Sequence, residues 1–91
     1  MEYEWDENKN KINQEKHGID FLDAVQVFLD PNRMEMVDDR KEYGETRYLT
    51  IGEVETVFLF VVYTKRGHKC RLISARRASK NEREIYYDYR S

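Results

Sequence analysis

The sequence predicts an α+β domain in which two N-terminal helices and a C-terminal helix pack on an antiparallel sheet of three to five strands. Three observations favour this fold class. Apolar residues recur at helical spacing in the first third and at the end of the chain, the middle contains the apolar run VFLFVVY at 57–63, and the connections there are short. With 91 residues and no Pro/Gly/Ser-rich linker, the chain is expected to form a single domain over 1–91.

The N-terminal segment predicts a short edge strand over 2–5, where polar and aromatic residues alternate. Asp6 is expected to cap a helix that ends near His17, because Gly18 can adopt the left-handed conformation there. Two interpretations of this helix stay open. It is a solvated surface helix, or it presents a polar face for a ligand, made of residues at helical spacing: Lys9, Asn13, Lys16 and His17.

A second helix is predicted to begin at Asp20 and to end at the turn 30–32. It carries a core-facing stripe of Phe21, Ala24, Val25 and Phe28. Strands are then predicted over 34–37, 47–51, 57–63 and 68–75, with a polar loop at 38–45, a strand end at Gly52 and a hairpin turn at 65–67. Ser79 and Glu82 have the capping-box spacing that opens a last helix, with Ile85, Tyr86 and Tyr89 on one face.

Charge is distributed unevenly along the chain. The formal net charge is −2, but residues 1–64 sum to −8 and residues 65–83 sum to +7. A basic block inside an acidic chain creates a local positive field that the net charge conceals. The sequence has no run of apolar residues long enough for a membrane span and no secretory signal, and its one cysteine, Cys70, cannot form an internal disulfide. These features favour a cytoplasmic protein.

The basic block is the main candidate for an anion-binding surface. Arg71 is expected to lie among apolar neighbours on an internal strand. Burying an unpaired charge there is costly, so the Arg71 guanidinium is expected either to form an ion pair or to lie at an open cleft. If the strand alternates regularly, Arg71, Ile73 and Ala75 face one side. Further cations flank the strand: Lys65, Arg66, Arg76 and Arg77. The competing interpretation is a set of solvated charges that pair with the acidic first half of the chain.

Cleavage of RNA by its own 2′-hydroxyl requires a base, an acid and cations that stabilise a charged phosphorane. The candidate proton-transfer groups are side chains that ionise or donate: His17, His68, Glu45, Glu82, Tyr63, Tyr86 and the lysines. Glu82 already has a capping role. His68 and Cys70 are expected on one strand face, but they lack an orienting third group for a thiol nucleophile. No metal-ligand set is recognisable from the sequence, because the two histidines lie far apart.

Three separated blocks, in order, resemble the BrnT toxin family. The first is WDENKNKINQEKHGIDFLDAVQVFLDP at 5–31, with its Lys-His-Gly sequence and terminal Asp-Pro. The second is Asp38-Asp39 followed by GETRYLTIG at 44–52, and the third is RLISARRASKNEREIYY at 71–87. The resemblance covers nearly the whole chain.

The resemblance implies a compact relative of the RelE ribonuclease fold, acting as an endoribonuclease toxin that stops translation and growth. It implies a cognate BrnA-type antitoxin with a ribbon-helix-helix DNA-binding portion, so that operator DNA is contacted only through the antitoxin. It implies no metal or organic cofactor. Through the matching motifs, the resemblance also implies which residues are functional: Arg71, Arg76, Glu82, Arg83, Tyr86, Lys16, His17, Glu45 and Arg47.

The expected site therefore has two groups of residues. The catalytic candidates are Arg71, Arg76, Tyr86, His17 and Glu82, with the choice between Tyr86 and His17 for proton transfer left open. The RNA-binding candidates are Lys16, Lys65, Arg66, Arg77, Arg83 and Arg47. Two alternatives remain at this point. The basic edge docks an acidic protein partner without catalysis, or the domain is a degenerate toxin without an active site.

Overall fold

A computed structural model describes residues 2–90. Within that range the elements follow one another as β1 (Glu2–Glu4), α1 (Glu7–His17), α2 (Phe21–Ala24), a 3₁₀ helix (Val25–Leu29), β2 (Met34–Asp38), β3 (Arg47–Val54), β4 (Val57–Arg66), β5 (Lys69–Arg77) and α3 (Lys80–Arg90). The α+β prediction is confirmed.

The sheet has the strand order β1-β5-β4-β3-β2 and is mixed. The pairs β2–β3, β3–β4 and β4–β5 are antiparallel, but β1 runs parallel to β5, with Glu4 beside Arg71. The prediction of a purely antiparallel sheet was therefore wrong at this edge. Short hairpins fix the relative direction only of strands that follow one another, whereas β1 and β5 are connected through most of the chain.

Each face of the sheet carries its own apolar core. One face is covered by α2 and the 3₁₀ helix, and its buried residues include Phe21, Val27, Leu59, Val61, Cys70, Leu72 and Ala75. The other face is covered at one end by α3, and its buried residues include Met34, Leu49, Ile51, Phe60, Val62 and Tyr86. We call the second one the α3 face of the sheet.

A β-bulge interrupts the pairing of β4 with β5. Val62 pairs with Ser74 and Tyr63 pairs with Leu72, so Ile73 is an extra residue on β5. The predicted alternation, in which Ala75 shares a side with Arg71, was therefore wrong. Ala75 is buried in the same core as Cys70 and Leu72, and the next residue, Arg76, lies on the α3 face.

Helix α1 is attached to the sheet by buried asparagines, although the sequence left its role open. Asn10 and Asn13 are each only 5% exposed. The Asn13 amide donates to the carbonyl of Ala75 (2.8 Å) and accepts from its N–H (3.1 Å). Because β1 pairs with β5 only as far as Arg71, Asn13 takes the place of a neighbouring strand at this edge. Asn10 accepts from the N–H of Phe21 at 2.9 Å.

Local signals correctly predicted where the three helices begin and where α1 ends. Asp6 and Asp20 accept hydrogen bonds from the first turns of α1 and α2, and Gly18 is left-handed with φ of 70°. Ser79 and Glu82 exchange the two hydrogen bonds of a capping box.

Several details of the elements differ from prediction. The second helix is a single α-turn followed by the 3₁₀ helix. β3 continues past Gly52 to Val54, and at Gly52 a Cβ atom would lie 2.5 Å from the side chain of Val27, so only glycine lets the two elements approach. β4 extends to Arg66. In α3, Tyr86 is buried, whereas Ile85 and Tyr89 are largely exposed.

Replacing Asn13 with alanine is expected to destabilise the domain by about 2–3 kcal/mol, because the Ala75 N–H and carbonyl lose their partner away from water. In a domain of this size that loss lowers Tm by roughly 10 °C. Thermal unfolding followed by circular dichroism measures it. The control is Asn8→Ala, the same substitution at an exposed position of the same helix. Equal Tm values for the two variants would contradict the role assigned to Asn13.

Candidate functional site

A row of polar and charged residues crosses the α3 face of the sheet. The strand register places Asp38, Arg47, Thr64, Arg71 and Glu4 side by side, in that order, from one edge strand to the other. Residues directly opposite one another on neighbouring strands share a face. The row lies beyond the end of the sheet that α3 covers, and we call it the arginine row.

Positive charge is in excess along the arginine row. Glu4 is shared by Arg71 (Nη1 to Oε2, 3.2 Å) and Lys69 (Nζ to Oε1, 3.8 Å). Glu45 is shared by two arginines, Arg66 at 3.4 Å and Arg47 at 3.5 Å. Because each carboxylate neutralises one charge and faces two cations, a net positive field remains. The half-buried Arg71 has the ion-pair partner that its position on an internal strand requires.

Arg76 is fixed next to the arginine row on the same face. Its guanidinium makes two hydrogen bonds of 2.7 Å to the two carboxylate oxygens of Glu82 and lies 4.2 Å from the centre of the Phe60 ring. The hydrogen bond from Arg76 lowers the pKa of Glu82, with the capping N–H of Ser79 contributing in the same direction. Glu82 is therefore ionised at neutral pH, and it positions both Arg76 and the start of α3.

Arg40 is part of this surface, although the sequence placed it in an unremarked polar loop. The side chain of Asp38 is fully buried and accepts from Arg40 Nε (2.7 Å) and Nη2 (2.8 Å) and from the Tyr43 hydroxyl. Mainly through the Arg40 hydrogen bonds, the pKa of Asp38 falls to about 2. Arg40 itself remains 57% exposed and lies 5.7 Å from the centre of the Phe60 ring. The sequence signal that could have identified this ion pair is the Asp-x-Arg spacing at the end of a predicted strand.

An open cleft of about 310 Å³ lies between α3 and the edge of the sheet, beside Phe60. We call it the Phe60 cleft. Its lining combines apolar side chains, among them Met36, Leu49, Ile51 and Ile85, with Arg40 and Glu82.

A second, smaller groove of about 180 Å³ lies between α1 and β5. Lys16 and His17 line it together with Lys9, Ile73 and Ser74. Ile73 and Ser74 are the residues of the bulge, between Arg71 and Arg76 in β5. The structure thus brings the Lys-His-Gly motif next to the strand that carries both candidate arginines.

Three predicted cations lie elsewhere. Lys65 pairs across the sheet with Cys70, and Arg77 with Leu59, so both side chains belong to the face opposite the arginine row. Lys65 Nζ lies 4.7 Å from the Tyr48 ring centre. Arg83 donates to the carbonyl of Ala78 at 3.2 Å, near the start of α3.

Two candidate reactive groups are buried. Tyr86 is only 1% exposed, packs edge-on against Phe58, and donates from its hydroxyl to Asp30 Oδ2 at 2.7 Å. These contacts give Tyr86 a structural role. Burial raises the pKa of the Cys70 thiol to about 12, with Glu35 acting in the same direction, so a thiolate nucleophile is absent at neutral pH.

Within residues 2–90, no three His, Cys, Asp or Glu side chains are grouped as metal ligands, and no helix is long and apolar enough to span a membrane.

The fold and the site together define a small α+β domain whose sheet carries paired, partly exposed arginines suited to binding anionic groups. The model of the family described as ribonuclease toxin, BrnT, of type II toxin–antitoxin systems matches residues 5–82. The chain therefore belongs to the BrnT family of ribonuclease toxins. A search of curated proteins gave no significant match.

The ion pair between Asp38 and Arg40 is expected to make stability depend on pH in the acid range. The folded-state pKa of Asp38, about 2, lies below its ordinary value of 3.8, so the stabilisation is present above pH 4 and is lost between about pH 4 and pH 2. Tm measured across this range is expected to fall less steeply in Asp38→Asn than in the parent. The control is Asp39→Asn, at the adjacent exposed position. A parent and an Asp38→Asn variant with parallel Tm profiles would refute this linkage.

Proposed function

We propose that this protein cleaves RNA on the α3 face of its sheet, with Arg71 and Arg76 binding phosphate groups of the substrate. The observation that carries the proposal is the bulge at Ile73, which brings both arginines to one face although they are five residues apart. Without the bulge, residues at this separation would lie on opposite faces. Glu4 and Glu82 hold the two guanidinium groups in place.

The distance between the two arginines fits a strand of nucleic acid. Because of the bulge, Arg71 and Arg76 stand opposite Thr64 and Phe60 of β4, so they are separated by about 13 Å along the sheet, which supports contact with two different phosphates of one strand. Arg47 and Arg66 extend the same positive surface across the sheet. Lys65 and Arg77 are left out of the proposed site because they belong to the opposite face.

The reaction proposed is attack of a ribose 2′-hydroxyl oxygen on the adjacent phosphorus, with departure of the 5′-oxygen. The charge that builds on the phosphoryl oxygens is stabilised by guanidinium groups that are already fixed, so little reorganisation is needed. We propose that these arginines supply the positive charge and that the reaction needs no metal ion.

His17 is the better-placed candidate for transferring a proton. It is partly exposed in the groove beside Ile73 and Ser74, between the two arginines along β5. Tyr86, the other candidate, is buried with its hydroxyl donated to Asp30. We therefore propose that His17 exchanges a proton with the substrate, assisted by Lys16 as a phosphate contact, and that Tyr86 supports the packing of α3.

The family also supports a set of partners. We propose a BrnA-type antitoxin, with a ribbon-helix-helix DNA-binding portion, as the protein that neutralises this toxin in the cytoplasm. On this proposal operator DNA is contacted through the antitoxin, and the substrate is RNA, including mRNA on the ribosome, whose cleavage stops translation and growth.

The test is cleavage of RNA by the purified protein with EDTA present throughout. Arg71→Ala and Arg76→Ala are each expected to lower the cleavage rate by about 10²-fold or more, because each removes a charge-assisted contact to phosphate. Arg77→Ala is the matched control, since it removes the same side chain from the same strand on the opposite face. Circular dichroism checks that each variant is folded.

Equal loss of activity in all three arginine variants would contradict the assignment of the site to the α3 face. The alternative, a non-catalytic module that docks an acidic partner, predicts that expression without the partner leaves growth unaffected. Growth arrest that Arg71→Ala abolishes would argue against that alternative.

His17→Ala is expected to slow RNA cleavage by about 10²-fold while leaving binding of an uncleavable oligonucleotide nearly unchanged, as removal of a proton-transfer group does. His68→Ala, at the other histidine, lies in the exposed β4–β5 turn and serves as the control. A His17→Ala protein with full activity would show that the proton is transferred by another group.

A further inference from the structure

We propose that the Phe60 cleft binds one nucleotide of the RNA, with the base in the apolar part and the phosphate between Arg40 and Arg76. This inference rests on the proposed function and deepens it, because it adds a subsite next to the arginine row. Arg40, Met36 and Ile85 become residues that position the substrate.

The two guanidinium groups are the first observation. Arg40 and Arg76 contact the same aromatic ring, with their central carbons 5.7 and 4.2 Å from the centre of Phe60. Each is held along one edge by two hydrogen bonds to a carboxylate, Asp38 for Arg40 and Glu82 for Arg76. A guanidinium has five N–H donors, so donors remain on both for an anion. Fixed, partly exposed arginines suit a phosphate, which has several acceptor oxygens.

The apolar part of the cleft is the second observation. Leu49 and Ile51 are buried at its floor, whereas Met36 and Ile85 stand at its rim, 53% and 41% exposed. Exposed apolar side chains beside charged ones suit a flat ligand that is apolar on its faces and polar at its edges, as a nucleobase is. The volume of about 310 Å³ is at the small end for ligand pockets, which fits one base rather than several.

Continuity with the arginine row favours nucleic acid over an acidic protein segment. Arg76 lies against Phe60 and is bound by Glu82, two residues that line the cleft, and it shares the face on which Arg71 binds phosphate in the proposed function. Asp38, which holds Arg40, is also the end residue of the arginine row. A single strand that runs from Arg71 along β5 to Arg76, and then across Phe60 toward the end of β2, would bring phosphates to Arg71, Arg76 and Arg40. Asn81, at the rim, offers an amide to the edge of a base.

The experiment measures binding of a short 2′-O-methyl RNA oligonucleotide, which lacks the attacking hydroxyl, by fluorescence anisotropy with the whole protein. Met36→Glu puts a negative charge at the rim without disturbing the core and is expected to weaken binding about five-fold or more. Val37→Glu is the matched control, because Val37 is adjacent, equally exposed at 53%, and on the opposite face. Met36→Gln changes the shape of the side chain without adding a charge, so comparing its affinity with that of Met36→Glu isolates the effect of the charge.

A second probe tests for the base itself. An abasic oligomer of the same length is expected to bind the parent more weakly than the full oligonucleotide. Arg40→Lys, which keeps a positive charge for Asp38 but loses the planar fork, is expected to weaken binding of both probes.

Three outcomes would overturn the subsite. They are equal affinities for Met36→Glu and Val37→Glu, equal binding of the abasic and full oligomers, and loss of protein-partner binding in Met36→Glu with RNA binding unchanged. If Arg71→Ala still lowers the rate of RNA cleavage in these cases, the proposed function stands and this inference alone is wrong. A parent protein that neither binds nor cleaves RNA would overturn both together.

Discussion

The extra residue at Ile73 in β5 determines how the rest of the site is arranged. It changes which face of the sheet each later residue of that strand occupies, so Ala75 enters the core and Arg76 reaches the side of Arg71. The side chain of Asn13 then completes the hydrogen bonding of Ala75, immediately after the bulge. One irregularity in a strand, together with one amide from a helix, thus sets the separation of the two central arginines and the position of His17 beside them.

Local sequence signals predicted the helix caps, but they did not predict the strand pairing at the edge of the sheet or the bulge in β5. The caps at Asp6, Gly18 and Asp20 were predictable because the residues that form them are close in sequence. The direction of β1 and the strand-like role of Asn13 depend on partners more than sixty residues away, which propensity and spacing do not reveal. The bulge depends on how β4 and β5 pair, which a regular alternation of residues along β5 does not reveal either. The resemblance to a family pointed to the basic segment as the candidate site, but only the register of the strands showed that Arg76 and Arg77 lie on opposite faces.

Arginines that are already paired with carboxylates explain how a protein of net negative charge could bind an anionic substrate. Each principal cation of the face is held by a carboxylate, so the folded protein does not carry a set of unpaired, half-buried charges. The same pairing fixes the orientation of each guanidinium before substrate arrives, which lowers the entropy lost on binding. In the proposed function, a substrate phosphate shares each guanidinium with the carboxylate that already holds it. Binding is then expected to be weaker than on an unpaired cluster but geometrically more selective.

The parallel edge between β1 and β5 has a consequence for when the protein becomes active during its synthesis. Glu4 and Arg71, which pair across this edge, are 67 residues apart, and Arg76 and Glu82 are made later still. A ribosome must therefore synthesise β1, β5 and the start of α3 before the cationic face can assemble. Truncated nascent chains lack one half of it, and pairing between the two ends of the chain is a slow, late kind of contact. The fold thus delays the appearance of the cationic face until β5 and the start of α3 have been made, which leaves time for a neutralising partner to meet the protein.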